Sequence, residues 1–357
     1  MLKQVGYFIF AFFILGMTAC TSLGPSAIKS TRGDYNIALQ QTNNEQLLLN
    51  IVRLKYRDNP TFLQLTSVTT SFTFQTEANA DTEFKRGADP FNFGANIIYA
   101  DKPTVSYTPL QGDKFVTEIM SPFKLNTLSL LYHSGWSVER ILALTAQNMN
   151  NLKNAPSASG PTPERKPKFE KFKETILLMR ELQMEDILYL GAGKIAGNSL
   201  VLYIKPKTNN DPRVEKLRTL LGLKENKSLY PMSVGLIANQ NSITINPRSL
   251  MGVLFYVSQA VEVPERDIAA GRVTRTLDDE GNLFDWSKML GPLIRIRSSM
   301  ESPDNAYVAI RYRKAWFYID DSDLSSKSTF SLLTQLSALS ASGIKSEAPV
   351  LTLPIGN

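Results

Sequence analysis

One cysteine and one histidine stand in 357 residues. With a single thiol, Cys20, the chain can form no internal disulfide and no cysteine-based metal site. With His133 alone, multi-histidine zinc sites are excluded, and a Ser-His-Asp hydrolase would have to be built on that residue. His133 falls in the last turn of a predicted helix, where the dipole favours a cation and a capping or surface role is expected. The N-terminal apolar run, Val5–Met17, is also short. Its thirteen residues fall below the roughly 20 that a spanning helix needs.

That run has the form of a secretory signal. Lys3 precedes it, and the small-residue end Met17-Thr18-Ala19 leads directly to Cys20. The segment resembles a bacterial lipobox, with Met17 in place of the usual leucine. The resemblance implies that residues 1–19 are removed and that Cys20 carries fatty chains. Several chains would hold the protein far more firmly than the marginal grip of one. Thr21 is not the aspartate associated with inner-membrane retention, so the resemblance implies the outer membrane. The alternative is an uncleaved N-terminal anchor with Cys20 an incidental thiol.

The remainder is no tether. Hydrophobic residues make up 43% of the chain, ample for real cores, and the length allows two domains. The formal net charge is +6, and removal of residues 1–19 takes away Lys3 alone among the charged residues. No cofactor, no metal and no nucleic-acid partner is expected.

Residues 20–32 are small and polar and read as a lipidated flexible leader. Leu47, Ile51 and Leu54 then recur at helical spacing, with Gln46, Asn50, Arg53 and Arg57 as the polar stripe. From Phe62 the pattern alternates through Val68, Thr70, Phe72 and Phe74, which predicts strand, with further strand over Phe91–Tyr99 and Thr104–Thr108. Such a meander is either an ordinary sheet with one solvated face or a membrane hairpin given to an oligomeric barrel. Short helices follow over Asp113–Leu152, one started by Ser121-Pro122 and one capped by Ser137.

Asn154–Lys168 holds four prolines and no apolar period, and reads as a linker or exposed loop between an N-terminal part, 33–153, and a C-terminal α+β domain, 169–357. Gly191-Ala192-Gly193-Lys194-Ile195 is a glycine-rich turn. Leu188 and Ile195 stand where a phosphate-binding loop needs glycine and Ser/Thr. Helices around Leu250–Val261 and Ser325–Ala341, strands at Leu293–Ser299, Tyr307–Tyr312 and Ala315–Ile319, and a closing strand at Val350–Leu353 complete an α+β fold of mixed helices and mainly antiparallel strands.

Arg295, Arg297, Arg311 and Arg313 sit at alternating positions of two predicted strands. Were those strands adjacent, they would form a basic patch for an anion or partner. The competing expectation is a solvated face neutralised by Asp320, Asp321 and Asp323, and an acidic turn before a helix explains those aspartates better than a calcium loop.

Arg248-Ser249-Leu250, Ser258-Gln259-Ala260-Val261-Glu262-Val263-Pro264, Phe317-Tyr318-Ile319-Asp320-Asp321, Ser326-Lys327-Ser328-Thr329-Phe330 and Leu351-Thr352-Leu353-Pro354 together resemble a widespread family of uncharacterised Gram-negative outer-membrane lipoproteins. The resemblance implies the address and carries no catalytic residue. The expectation is therefore a lipid-anchored protein on the periplasmic side, structural or interacting within an envelope assembly. Its partners would be the membrane, envelope proteins or peptidoglycan, and further copies of itself. The alternatives are a peptidoglycan-directed hydrolase, with Glu262 or Asp320 as its acid, and an oligomeric pore or secretion-complex lipoprotein.

Overall fold

A computed structural model describes residues 23–80, 93–191, 200–208, 210–224, 227–237 and 240–341. Cys20, Thr21, the turn after Gly191 and the closing Val350–Leu353 strand lie outside these residues. The fold is α+β, with mostly antiparallel sheets, and the chain divides into two compact units. Of the described residues, the smaller takes in those within 61–118, and the larger is built from both flanks, 23–60 and those within 119–341. The boundary therefore differs from the one expected at Asn154–Lys168.

That proline-rich stretch is a loop inside the larger unit. Its backbone is answered at several points: Ala155 N donates to Lys168 O, Lys166 N to Leu277 O, and Leu277 N to Glu164 O. Asn154, Ala155 and Ala158 are buried. A segment without an apolar period can still be fixed when its polar backbone finds partners.

In the larger unit, α1 (Leu23–Lys55) starts earlier than the sequence pattern indicates, so the residues expected as a leader are helical from Leu23. Pro25 falls in the first turn, where its missing N–H costs nothing. Leu47, Leu48, Ile51, Val52 and Leu54 are buried as their spacing requires. Asn50, placed on the polar stripe by periodicity, is buried as well.

The smaller unit holds β1 (Leu63–Ala80) and β2 (Phe93–Pro109), an antiparallel hairpin in a sheet of its own. β2 runs unbroken through the residues that the sequence suggested were two strands. Its register is regular except at Thr66, where a bulge separates the Leu65–Tyr107 and Ser67–Ser106 pairs. α2 (Asp113–Met120) follows, and the Phe115 ring meets that of Phe62 at a tilt of 60° with centres 5.4 Å apart.

Back in the larger unit come α3 (Leu125–His133) and α4 (Val138–Thr145), the latter capped by Ser137 as its sequence indicates. α3 begins after Lys124 rather than at Ser121-Pro122, because Pro122 is drawn into a bridge with Ser249 and Phe123 N donates to Arg248 O. His133 ends α3 and is exposed.

A six-stranded sheet follows, formed by β3 (Ala146–Met149), β4 (Leu152–Lys153), β5 (Leu188–Gly191), β6 (Leu200–Ile204), β7 (Leu229–Val234) and β8 (Ile243–Pro247). Its order is β4-β3-β8-β7-β6-β5, antiparallel except between β7 and β8. α5 (Glu170–Met184) packs against α4 and against α6 (Pro212–Leu221).

α7 (Leu250–Ser258) packs on α1, and two short helices, α8 (Glu265–Ala269) and α9 (Ser287–Leu290), lie beyond it in sequence. A three-stranded sheet then joins β9 (Arg297–Ser299), β10 (Ala306–Tyr312) and β11 (Ala315–Asp320), before α10 (Leu324–Ala341). Its order is β10-β11-β9.

Candidate functional site

A cavity of about 580 Å³ opens in the larger unit, within the range of small-ligand sites. It is lined by the end of α1, the segment after α7, and the loops either side of α9. Val261, Val263, Ile268, Leu290, Ile294 and Trp286 give it apolar walls. The walls are held by specific contacts: Glu262 N donates to Ile296 O at 2.8 Å, Trp286 Nε1 donates to Thr276 Oγ1 at 3.2 Å, and the Phe284 ring meets Trp286 edge-on.

Lys55, the last residue of α1, lies in this wall and is only 8% exposed. Its Nζ donates to Gln259 Oε1 at 3.0 Å, and Gln259 lines the same cavity. A neutral amide cannot balance an ammonium, and among the described residues no carboxylate forms an ion pair with Lys55. Burial accordingly pushes the Lys55 ammonium down to about 8. Periodicity held the signal for this residue. Lys55 stands four residues after Ile51 and three after Val52, so it belongs to the buried face of α1 and departs from it only in chemistry.

The next residue is tied to a second buried charge. Tyr56 Oη donates to Asp267 Oδ2 at 2.7 Å, and Arg272 Nη1 reaches Asp267 Oδ1 at 2.5 Å. Burial alone would raise the Asp267 carboxyl, yet these two hydrogen bonds hold it below its usual range. Arg57 Nε donates to Thr274 Oγ1 at 2.8 Å, on the cavity rim. The end of α1 is thereby fastened on three successive residues.

The four arginines singled out by sequence do not converge. β11 runs between β9 and β10, so the two strands that carry Arg297 and Arg311 are not neighbours. Arg295 precedes β9 and lines the cavity, with Nε donating to Gly291 O. Arg297 faces Asp320 at 3.7 Å. Arg313 lies in the β10–β11 turn and pairs with Asp58 at 2.8 Å, while Arg311 is exposed on β10. The aspartates behave as an acidic helix entry: Asp323 accepts from Ser326 N at the start of α10, and Asp321 pairs with Lys327. Comparison with protein-family models, curated proteins and solved structures finds no match. Among the described residues, no group of three or more His, Cys, Asp or Glu side chains is placed to hold a metal ion.

What the cavity can do chemically follows from its lining. It joins an apolar surface to a buried cation and two arginines, Arg275 and Arg295, with Glu262 and Asp285 also at its wall. Asp285 is occupied, since its carboxylate accepts from Ser287 N at 2.9 Å and is held below the ordinary carboxylate range by Ser287. Lys55 and Arg295 can answer a small anion carried on an apolar body.

Proposed function

We propose that the chain is a lipid-anchored outer-membrane protein of the periplasmic face, a binding component of an envelope assembly that takes a peptide carboxylate into the Lys55 cavity. The observation that carries this reading is the buried Lys55 ammonium, hydrogen-bonded to the neutral Gln259 side chain at the wall of a cavity lined by both apolar and polar residues. A buried cation without an anion is costly, and a ligand carboxylate would remove that cost. The lipobox-like N-terminus supports the address. Peptide carboxylates in that compartment come from peptidoglycan stem peptides and from protein C-termini.

Asp320, one acid of the hydrolase alternative, accepts from Ser322, faces Arg297 and does not line the cavity. The two acids of that alternative, Glu262 and Asp320, therefore do not meet in this cavity, which Glu262 lines without Asp320.

Calorimetric titration of the full chain with a stem peptide and with a protein C-terminal peptide, each as free acid and as amide, tests the reading. At least one free acid is expected to bind, its amide to bind about tenfold more weakly, and Lys55→Met to erase the difference. Equal affinity for acid and amide would end it.

A further inference from the structure

Apart from the cavity, the least accounted-for element is the β1–β2 hairpin. Each strand pairs only with the other, so both outer edges of a ribbon 17 to 18 residues long lack a neighbour among the described residues. Long unpaired edges recruit further strands unless something blunts them.

Register and alternation sort its residues into two unlike faces. Val68, Thr70, Phe72, Phe74, Thr76, Ala78 and Ala80 share one face with their partners Val105, Pro103, Asp101, Tyr99, Ile97, Ala95 and Phe93. Ser67, Thr69, Ser71, Thr73, Gln75, Glu77 and Asn79 share the other with Ser106, Thr104, Lys102, Ala100, Ile98, Asn96 and Gly94. The first face has a single charge, Asp101, and the second is mostly hydroxyl and amide. The bulge at Thr66 keeps Leu63 and Leu65 on the apolar face despite their odd numbers. At the described base of that face Leu63, Val105 and Tyr107 are exposed.

The dimensions fit a bilayer. From Asp101, opposite Phe72, to Phe93, opposite Ala80, the ribbon has nine paired rows, and a tilted membrane strand needs about 9–11 residues. Phe72, Phe74 and Tyr99 fall at one end of this stretch and Phe93 at the other, with smaller residues between, the distribution of aromatic girdles on membrane barrels. Glu77 falls within the stretch but on the polar face, where a lumen tolerates it.

The geometry points to a membrane-inserting hairpin that gives two strands to a β-barrel closed by further copies of this chain, with acyl chains covering the apolar face. A lone hairpin cannot enter lipid, because its edge N–H and C=O groups would be unsatisfied there. Copies on both sides satisfy them and abolish the edges. The inference rests on the hairpin and uses no residue of the Lys55 cavity, so either reading can fail alone.

The test uses the full chain in vesicles of phosphatidylethanolamine and phosphatidylglycerol. Single cysteines at Thr76, Ile97, Gln75 and Asn96 carry an environment-sensitive fluorophore, with the unsubstituted chain as background. Thr76→Cys and Ile97→Cys should lose most of their fluorescence to a lipid-borne quencher, and Gln75→Cys and Asn96→Cys should lose it to an aqueous one. The mass of the detergent-extracted complex should be a multiple of the chain. In Phe72→Asp with Phe74→Asp, lipid-phase quenching at position 97 should vanish while the melting temperature of the larger unit is kept. Aqueous quenching at all four positions would overturn the proposal, and so would a monomeric extract.

Discussion

The Arg248 guanidinium lies 3.9 Å from the centre of the Tyr256 ring, fully buried and without a carboxylate partner among the described residues. Its answer is the backbone. Nη1 donates to the carbonyls of Ala143, Leu144 and Ala146, Nη2 to Asn154 O, and Nε to Ser159 Oγ. Asn154 Nδ2 shares two of those carbonyls, and Tyr256 Oη meets Asn154 Oδ1 at 3.4 Å. Burial pushes Arg248 down to about 10, which leaves it charged at neutral pH.

Arg248→Met should therefore destabilise the larger unit by about 3–5 kcal/mol, since it leaves several buried carbonyls without a donor. Arg248→Lys should recover little, because an ammonium lacks the planar fork and its stacking. Urea denaturation followed by tryptophan fluorescence measures both, and an unmoved midpoint for Arg248→Met would refute the role.

Lys55 makes stability depend on alkaline pH. Its folded value of about 8 lies below the ordinary 10.5, so between these pH values the unfolded chain binds the extra proton and stability rises with pH. The cost is present in full below about 8 and gone above 10.5. Lys55→Met should be the more stable protein at pH 7 by an amount on the order of 3 kcal/mol, and the gap should close as the pH approaches 10.5. Melting curves of the two proteins across that range decide it, a constant gap counting against the assignment.

Asp267 gives the opposite limb. Its carboxyl is held below the ordinary range, so its contribution is present above the unfolded value and is lost as pH falls through the folded one. Asp267→Asn should cost about 2–4 kcal/mol at pH 7, and the difference should shrink steadily below about pH 4. Tyr56→Phe should show a smaller loss with the same acid dependence. Matching acid denaturation curves for parent and variants would contradict the network.

At the N-terminus, Cys20→Ala should abolish fatty-acid labelling and leave unprocessed or soluble chain. Thr21→Asp should move the labelled protein from outer-membrane to inner-membrane density on a sucrose gradient. Labelling that persists with alanine at position 20 would defeat the lipid assignment.

Local signals in the sequence carried the local structure. Ser137 caps the helix it was expected to cap, because a cap is decided within four residues. The alternation from Val68 to Phe74 marked β1 for the same reason. Pairings set by distant chain segments were not legible. Nothing in Arg297 or Arg311 announces that β11 will lie between their strands. Nor do Pro122 and Ser249 advertise the bridge that delays α3. The cavity was hidden for a related reason: periodicity can put Lys55 on the buried face of its helix, but Lys55 and Gln259 are 204 residues apart and neither announces the other. Nothing beside Arg248 in the chain marks it as buried, because the carbonyls that receive it belong to Ala143, Leu144, Ala146 and Asn154.

The bulge at Thr66 makes the ribbon count in twos. One residue deleted between Ser67 and Ala80 would move every later residue of β1 to the opposite face unless a second bulge compensated, and the same holds for one residue added. Natural variants of this chain that change the length of the ribbon should therefore do so by matched pairs of residues on both strands. An odd change should arrive only with the loss or gain of a bulge, so parity, rather than the identity of any one side chain, would be what selection guards there.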